Sequence, residues 1–373
     1  MNRKAKRAKV VIFSTAQRTT HPRIFHKQAR SLSQAAYNVV LFAQGPHDDL
    51  KDGVQIRALT QRSSRLRRVL SSLKLIRTIL KEKADIHHFH VPELIPVGLL
   101  FRLLGKKVIY DAHEDLPKNI TSKSYLPPWF RPVLSAVINP LEKWAARRMS
   151  AVVAATDSIQ RRFPGATVLH NYPILEYIPG SKDTPPPRER FRPFVAYFGT
   201  IMGVLGATEM LAAADAVCGR FPIKLKIFGE FENDAIRSQI VNSSRAVDYG
   251  GLIPMADVYH SYAGALAGLV LYHPCPNHVE AMPNKIFECM ACGVPLIASD
   301  FPLWRKIIYD QGCGLVVDPL NVSQIADAII YLLEHPEEAK KMGQRGRELA
   351  ERKYNWESEA KKLLFLYERL LSR

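Results

Sequence analysis

Short runs of apolar residues alternate with helical patterns along the whole chain. In the first half, apolar runs predict strands at residues 10–13, 39–43, 86–89, 108–110, 151–155 and 167–169, with a helix from 22 to about 35. In the second half, the same pattern predicts strands at 194–198, 224–228, 269–272 and 295–298, and helices at 208–218, 285–292, 322–333, 337–352 and 356–371. Alternating strands and helices are typical of α/β folds with doubly wound parallel sheets.

A proline-rich stretch interrupts this pattern near the middle of the chain. Residues 179–193 read PGSKDTPPPRERFRP, and their five prolines favour neither helix nor strand. We therefore predict an N-terminal domain over residues 1–178, a linker over 179–193 and a C-terminal domain over 194–352. Residues 353–373 are predicted to form a closing helix that crosses back to the N-terminal domain.

The positive charge of the chain is concentrated in its first half. The net charge is +17: residues 1–180 contain 30 Lys and Arg against 12 Asp and Glu (+18), whereas residues 181–373 contain 22 against 23 (−1). A basic surface attracts nucleic acid, anionic lipid or acidic substrates. No nucleic-acid recognition motif accompanies the charge, so we expect no nucleic-acid partner.

Two basic segments favour an anionic lipid surface as the partner. Residues 64–81 (SRLRRVLSSLKLIRTILK) place apolar residues on one helical face and most Arg and Lys elsewhere, and residues 125–131 (YLPPWFR) set aromatic rings beside a cation. Both patterns suit a membrane interface. We expect the N-terminal domain to make peripheral contact with the inner face of the cell membrane.

Several protein classes are excluded by the chain's apolar runs and cysteines. The longest apolar runs, such as 94–101 and 265–272, are well short of the ~20 residues that a membrane span needs. Residues 10–13 are too short for the apolar region of a signal peptide. Five cysteines, an odd number in a long chain, do not suit a disulfide framework. The sequence therefore predicts a cytoplasmic protein.

The segment EAMPNKIFECMACGVP, residues 280–295, carries the most suggestive chemistry. Its carboxylates Glu280 and Glu288 are eight positions apart, and a helix is predicted to begin near Asn284. Free N–H groups at a helix start and the Lys285 ammonium suit phosphate oxygens. Glu288 could accept both hydroxyls of a ribose, and Glu280 could reach sugar hydroxyls. The alternative is that both acids are solvated and bind nothing.

This segment resembles the Glu-x7-Glu signature of family 4 (group 1) retaining glycosyltransferases. Further similar stretches follow in order: HPRIFHKQARSLSQAAYNVVLFAQG, DIHHFHVPELIPVGLL, KKVIYDAHED, FVAYFGTIMGVLGATEMLAAA, IFGEFE and YNWESEAKKLLFLYERLL. The resemblance implies the GT-B fold, in which two Rossmann-like doubly wound domains face each other across a cleft. It also implies that the C-terminal domain binds a UDP- or GDP-linked sugar donor, that the N-terminal domain binds a saccharide or lipid-linked saccharide acceptor, and that no cofactor is needed.

The family's functional residues carry over to individual positions of this chain. Glu288 matches the acid that binds the donor ribose, Glu280 the acid near the transferred sugar, and His113 the histidine close to the reacting centre. The resemblance thus implies catalytic roles for His113 and Glu280. It implies donor binding by Glu288, Lys285, Asn284, Gly199, Thr200, Gly203 and Gly229.

The loop after the first strand of the C-terminal domain departs from the family pattern. Many members carry an Arg and a Lys there, aimed at the diphosphate, whereas this chain has Thr200 and Leu205. Backbone N–H groups of the glycine-rich loop, together with Lys285, could replace those cations. We therefore expect an active transferase in cell-surface polysaccharide or glycolipid biosynthesis. The alternative is a catalytically impaired nucleotide-binding or scaffold protein that partners another transferase.

No metal ion is expected. The chain has no Asp-x-Asp motif to support a metal-bridged diphosphate. Cys289 and Cys292 have the spacing of zinc ligands, but no second pair lies nearby and core packing is the preferred interpretation. The cluster of His87, His88 and His90 at a predicted strand end suits either a metal site or, preferably, the lining of the acceptor site.

Overall fold

The chain folds into two compact units. A computed structural model describes residues 7–60, 75–121, 126–178, 193–243 and 246–372. The N-terminal unit comprises Met1–Asn171 and Trp356–Arg373, and the C-terminal unit comprises Tyr172–Asn355. The first unit therefore ends before the predicted boundary at 178, because Tyr172 packs edge-to-face on Phe287 and Tyr354, with ring centroids 4.7 and 5.4 Å apart.

The N-terminal unit is built on an eight-stranded sheet. Its strands are β1 (Lys9–Arg18), β2 (Asn38–Gln44), β3 (Asp49–Lys51), β4 (Val54–Leu59), β5 (Ile86–Phe89), β6 (Lys107–Ala112), β7 (Ala151–Ala154) and β8 (Thr167–Val168). Their order is β3-β4-β2-β1-β5-β6-β7-β8, and each neighbouring pair is parallel apart from β3 and β4. Val10–Phe13 are fully buried, as expected of a central parallel strand covered on both faces.

The helices of this unit begin with an unusual segment. Pro22–Ala29 is π-helical and continues as α1 (Arg30–Gln34), where the sequence predicted one ordinary helix. Residues 75–81 are helical. A 3₁₀ turn, Pro92–Leu94, leads into α2 (Ile95–Leu103), and α3 (Leu116–Thr121), α4 (Phe130–Ala146) and α5 (Asp157–Gln160) follow.

The C-terminal unit is built on a six-stranded parallel sheet. Its strands are β9 (Phe194–Phe198), β10 (Lys224–Phe228), β11 (Val247–Tyr249), β12 (Ala267–Val270), β13 (Leu296–Ser299) and β14 (Gly314–Val317), in the order β11-β10-β9-β12-β13-β14. Its helices are α6 (Ala207–Cys218), α7 (Asp234–Ser243), α8 (Met255–Ser261), α9 (Asn284–Ala291), α10 (Pro302–Ile308), α11 (Val322–Glu334) and α12 (Pro336–Arg352). Short 3₁₀ turns lie at Leu175–Tyr177 and Gly203–Leu205.

The last helix, α13 (Trp356–Leu371), belongs to the N-terminal unit. The Trp356 indole N–H donates to Ser31 Oγ at 2.9 Å, and Lys107 Nζ donates to the Leu370 carbonyl at 2.8 Å. The Tyr367 hydroxyl lies 2.8 Å from His88 Nδ1. The C-terminal helix thus packs on the N-terminal unit, as predicted for the closing helix.

The predicted elements correspond closely to the buried strands and to the long helices of the second half of the chain, whereas the long helix α4 was given no bounds from the sequence. The short strands β3, β4, β11 and β14 were not predicted, and β12 begins two residues before the predicted 269. Three stretches lie outside the described residues: 61–74, which includes residues 64–74 of the basic segment; 122–125; and residues 179–192 of the proline-rich stretch. Within the described ranges, the chain contains no helix with the length and apolarity needed to cross a bilayer.

Candidate active site

Lys285 lies at the carboxyl edge of the C-terminal sheet. It is the second residue of α9, and its side chain passes so close to Gly199, at the end of β9, that a Cβ there would lie 2.8 Å from Lys285 Cε and Nζ. The ammonium donates to the Tyr272 hydroxyl at 3.2 Å and lies 5.0 Å from the centroid of the Tyr197 ring. Two tyrosines therefore hold the Lys285 ammonium, and the absence of a side chain at Gly199 leaves space for it.

The surroundings of Lys285 keep it charged. Burial, the largest influence, would lower the pKa of its ammonium, but Tyr272, Tyr197 and Glu288 outweigh burial and raise that pKa above its ordinary value. Burial also raises the pKa of Tyr197 to about 12, so that this neighbour stays protonated and neutral. The arrangement presents a permanent positive charge, which suits an anionic ligand such as a diphosphate.

Two glycines shape the loops around this lysine. Gly199 (φ 125°) and Gly229 (φ 143°) end adjacent strands, and a Cβ at Gly229 would lie 1.9 Å from the Gly199 carbonyl oxygen. Only residues without a side chain allow these loops to pass so closely. The Thr200 carbonyl accepts a hydrogen bond from the Tyr197 hydroxyl at 2.6 Å, and Gly203 begins the 3₁₀ turn that precedes α6.

The two carboxylates of the signature segment have different settings. Glu280 is half-buried in the turn before α9, and the Trp304 indole N–H fixes this turn by donating to the Ala281 carbonyl at 2.7 Å. Glu288 lies one helical turn after Lys285, while Asn284 is the first residue of α9. The Glu288 charge is among the influences that raise the pKa of the Lys285 ammonium. The two side chains are therefore electrostatically coupled on α9.

The predicted catalytic histidine lies in the N-terminal unit, directly after β6. Gln17 Nε2 is 3.2 Å from His113 Nε2, and Gln17 Oε1 of the same side chain accepts a hydrogen bond from the Ser14 hydroxyl. This contact fixes the His113 ring from one side. His113 and Gln17 both line a cavity of about 620 Å³ within this unit.

A buried charged network around Asp111 forms part of the lining of this cavity. Asp111 accepts hydrogen bonds from the Arg23 guanidinium at 3.1–3.3 Å and from the Gln28 amide at 2.6 Å. Burial would raise the pKa of Asp111, but the Arg23 charge holds it well below its usual range. Burial likewise holds the pKa of His90 well below its usual value, so this imidazole is neutral.

The network contains a set of donors that a metal ion could use. Side-chain donor atoms of His88, His90 and Asp111 all lie within 4.8 Å of one another and are buried. Two imidazoles and a carboxylate are common metal ligands. Here, however, Arg23 and Gln28 already donate to the carboxylate oxygens, and the guanidinium supplies the balancing charge. We interpret the group as an internal charge network.

The histidine cluster differs from the predicted one. Because side chains alternate along a strand, His87 points away from His88 and packs its ring 4.9 Å from that of Phe101. His90 lines the cavity, as preferred for this cluster. His21 belongs to the same region: burial and the nearby His113 lower its pKa to about 4. No pattern in the sequence indicated His21, Asp111 or Gln28, because their proximity depends on distant strands.

The Cys289–Cys292 pair has the properties of buried thiols. Cys289 is fully buried on α9, and burial raises its pKa to about 12. Burial also raises the pKa of Cys292 well above its usual value. Cys289 belongs to the apolar core of the C-terminal unit and the partly buried Cys292 packs against that core, so both residues fit the preferred interpretation of core packing.

Comparisons with known proteins match both units. The sequence model for group 1 glycosyl transferases matches residues 185–349, and the model for glycosyltransferase family 4 matches residues 23–166. This chain belongs to the family 4 (group 1) glycosyltransferases.

Relatives and solved structures agree with this assignment. The transferase is 26% identical over 307 residues to the phosphatidyl-myo-inositol mannosyltransferase of Mycolicibacterium smegmatis, covering 79% of this chain and 74% of that protein. Its fold resembles sucrose-phosphate synthase from Thermosynechococcus elongatus (TM-score 0.77, 20% identity, 98% and 100% covered). It also resembles Anabaena HepE in complex with UDP-glucose (TM-score 0.73, 13% identity, 97% and 99% covered). The transferase has the predicted GT-B fold.

Proposed function

We propose that this glycosyltransferase moves a sugar from a UDP- or GDP-linked donor to a saccharide or lipid-linked saccharide acceptor, with retention of anomeric configuration. The observation that carries the proposal is the Lys285 ammonium, held against Gly199 by Tyr272 and Tyr197 at the carboxyl edge of the C-terminal sheet. Ligands of open α/β sheets bind at this edge. The UDP-glucose in the HepE complex supports a nucleotide-sugar donor for the present chain.

Each unit has a separate task in this proposal. In the C-terminal unit, Lys285 and the backbone around Gly199 and Gly203 stabilise the departing diphosphate, Glu288 binds the ribose and Glu280 contacts the transferred sugar. In the N-terminal unit, His113 lies beside the acceptor, which occupies the cavity. Since Lys285 supplies positive charge to the diphosphate, the reaction proceeds without a divalent ion.

Calorimetry with UDP-, GDP- and dTDP-sugars tests the donor site. We expect one nucleotide to bind selectively to the wild type and to bind at least tenfold more weakly to Glu288→Ala. Activity should persist in EDTA, and NMR of the product should show the donor's anomeric configuration. Loss of activity in EDTA would contradict metal independence.

A catalytically impaired scaffold is the competing function, because Thr200 and Leu205 bring no charge to the diphosphate loop. Lys285 at Gly199 favours the active enzyme over the scaffold. Donor binding without turnover, over a panel of saccharide and lipid-linked acceptors, would favour the scaffold.

We also propose a peripheral location at the inner face of the cell membrane. One support is the positive charge of the first half of the chain. Another is the M. smegmatis relative, a mannosyltransferase whose name includes the lipid phosphatidyl-myo-inositol. Because the charge is concentrated in the first half of the chain, we expect the N-terminal unit to make the contact.

A further inference from the structure

Helix α4 presents an apolar surface to solvent. All of its exposed residues are apolar: Pro132, Val133, Ala136, Val137, Pro140, Leu141 and Trp144. Trp129, directly before the helix, is 72% exposed, and Leu141 and Trp144 are 59% and 48% exposed. A helix on a water-facing surface normally carries polar residues on its outer side. A contiguous exposed apolar face is therefore a sign of an interaction surface.

The opposite side of α4 is firmly attached to the N-terminal unit. Buried Glu142 accepts hydrogen bonds from the Tyr110 hydroxyl at 2.6 Å and from Arg162 Nη2 at 2.5 Å. Ala145 and Ala146 are buried beside it. Rotating the apolar face into the core would break both contacts of Glu142 and leave a buried carboxylate without partners. The apolar face is thus a fixed part of the surface.

The cavity beside His113 adjoins this face. Leu134, Ile138 and Leu141 of α4 all line it. At about 100° per residue, these three positions follow the exposed face around the helix, and Leu141 belongs to both. Apolar side chains from α2 and α3, among them Ile95 and Ile120, also line the cavity. A continuous apolar surface therefore leads from solvent into the cavity that His113 lines.

The charge next to this face is positive. Residues 129–141 contain no Asp or Glu, and exposed Arg147 and Arg148 follow the helix. The Arg148 guanidinium lies 3.8 Å from the centroid of the Trp144 ring. Aromatic and cationic side chains beside an apolar helical face are the combination that binds the interface of anionic membranes.

We propose that the outer face of α4 rests in the interface of an anionic membrane, and that the adjoining cavity receives the apolar chain of a lipid-linked acceptor. The chain passes from the bilayer around Leu141 into the cavity and brings the acceptor's saccharide to His113. This inference rests on the proposed function for the role of His113. It adds the protein surface that binds the membrane, the path by which the acceptor's lipid chain enters the cavity, and the amphiphilic nature of the acceptor.

Sedimentation with vesicles tests the surface. The full chain is mixed with vesicles of phosphatidylcholine, with or without phosphatidylglycerol, at low and high salt. We expect binding to the anionic vesicles and at least tenfold weaker binding of Val137→Ser/Trp144→Ser. The matched control is Leu252→Ser/Leu320→Ser in the C-terminal unit, where these leucines are 65% and 53% exposed, and it should bind like the wild type.

Two results would overturn the membrane surface. One is equal sedimentation of the α4 variant and the wild type. The other is a wild type that does not sediment with anionic vesicles but is dimeric by light scattering, with the α4 variant monomeric. The apolar face would then be an interface between two copies of this chain.

A soluble amphiphile tests the cavity. We expect octyl glucoside, below its micellar concentration, to bind the wild type at least tenfold more tightly than glucose does. Ile138→Trp, which fills the cavity from α4, should remove this advantage while vesicle binding is retained. Circular dichroism checks that this variant is folded, and Leu134→Trp serves as a second cavity-filling variant. Equal affinity of the wild type for octyl glucoside and glucose would contradict the chain-binding cavity.

Different outcomes separate the amphiphile surface from the proposed transferase activity. A protein that binds its nucleotide-sugar but neither vesicles nor octyl glucoside retains the proposed donor site and loses this inference. A protein that binds vesicles and octyl glucoside but no nucleotide-sugar retains the amphiphile surface and loses the proposed transferase activity.

Discussion

The carboxyl edges of the two parallel sheets are built in opposite ways. At the C-terminal sheet, Gly199 and Gly229 allow two loops to pass closely, and Lys285 is the cation beside Gly199. At the N-terminal sheet, the buried side chains of Arg23 and Asp111 form a charged network. The edge of the C-terminal sheet should therefore be sensitive to a side-chain atom added at Gly199 or Gly229. The edge of the N-terminal sheet should be sensitive to loss of one member of its ion pair. The same type of sheet edge can thus expose its backbone to a ligand or support one functional side chain.

The largest expected effect is at the N-terminal edge. Asp111→Ala leaves the Arg23 guanidinium buried without its carboxylate, which should lower the free energy of unfolding by about 3–5 kcal/mol. Urea denaturation measures the loss, and hydrogen exchange locates it in the N-terminal unit. The matched control is Asp300→Ala, which removes an exposed ion pair with Arg305 from the other unit and should leave stability nearly unchanged. Equal losses of unfolding free energy for the two substitutions would show that burial does not make the Arg23–Asp111 ion pair more important for stability than the exposed one.

The next effect is catalytic and belongs to the C-terminal edge. Lys285→Ala removes the cation beside Gly199, and kcat should fall by a factor on the order of 10²–10³ with the fold intact. Initial rates and circular dichroism measure the two quantities. Lys226→Ala is the matched control, because this lysine also lies over an aromatic ring, that of Phe194, in the same sheet. A rate close to that of the wild type would assign the diphosphate charge to another group.

The third prediction concerns an added methyl group at the C-terminal edge. Gly229→Ala places a Cβ 1.9 Å from the Gly199 carbonyl oxygen at a φ of 143°, so the loops must separate. We expect a loss of about 1–3 kcal/mol in stability together with weaker nucleotide-sugar binding. At Gly203, no atom lies within 4 Å of an added Cβ, so Gly203→Ala should preserve stability. Thermal denaturation compares the two, and equal stability would show that the loops adapt freely.

The two units should also differ in their stability at acidic pH. Burial lowers the pKa of His21 and His87 to about 4, and that of His90 lies well below 6.5. In the unfolded chain these imidazoles gain protons near pH 6.5, whereas in the folded chain they do so only near pH 4 or below. Stability is therefore greatest above pH 6.5 and falls as the pH drops towards 4, by about 1.4 kcal/mol per pH unit for each proton.

Hydrogen exchange at pH 7 and pH 5 measures this difference. We expect protection to be lost first around β1, β5 and β6, which carry or adjoin these histidines. His87→Phe should reduce the slope of stability against pH, because it removes one of the titrating groups. Acid-induced opening that began in the C-terminal unit would contradict the assignment.

The smallest expected effect is at the hydroxyl that holds Lys285. Tyr272→Phe removes the hydrogen bond of 3.2 Å but keeps the ring, 5.4 Å from the ammonium. Donor affinity should fall by about 0.5–1.5 kcal/mol, which calorimetry detects as a several-fold change in Kd. A loss of donor affinity well above this range would mean that the hydroxyl itself contacts the donor.

The fold was predictable where burial dominates. Phe194–Phe198 and Lys224–Phe228 were predicted to the residue, because continuous apolar runs are typical of covered parallel strands. The edge strand Asp49–Lys51 was not, since its residues are exposed and carry no apolar pattern. For α4, the sequence indicated only the aromatic residues near its start, because apolar residues alone do not reveal which side of a helix faces water.

The candidate site was predictable only in its local parts. Glu280, Lys285 and Glu288 lie in one segment, and their spacing on a helix start was visible in the sequence. The aromatic ring beside Lys285 was not predictable, because Tyr197 comes from β9, which is distant in the sequence. The same holds for Arg23 and Asp111, which lie 88 positions apart and meet only through the sheet.

Because the segment Pro22–Ala29 is π-helical, the charged network around Asp111 depends on the number of residues in this segment. In a π-helix, residues five apart lie one above the other, so Arg23 and Gln28 both reach Asp111. In an α-helix, at about 100° per residue, Gln28 would point about 140° away from Arg23. Deleting one residue here would restore ordinary winding without breaking the helix, yet it would separate these two donors. The number of residues in this segment therefore sets the positions of Arg23 and Gln28. Substitutions at its exposed positions should preserve the network, whereas an insertion or deletion should disrupt it.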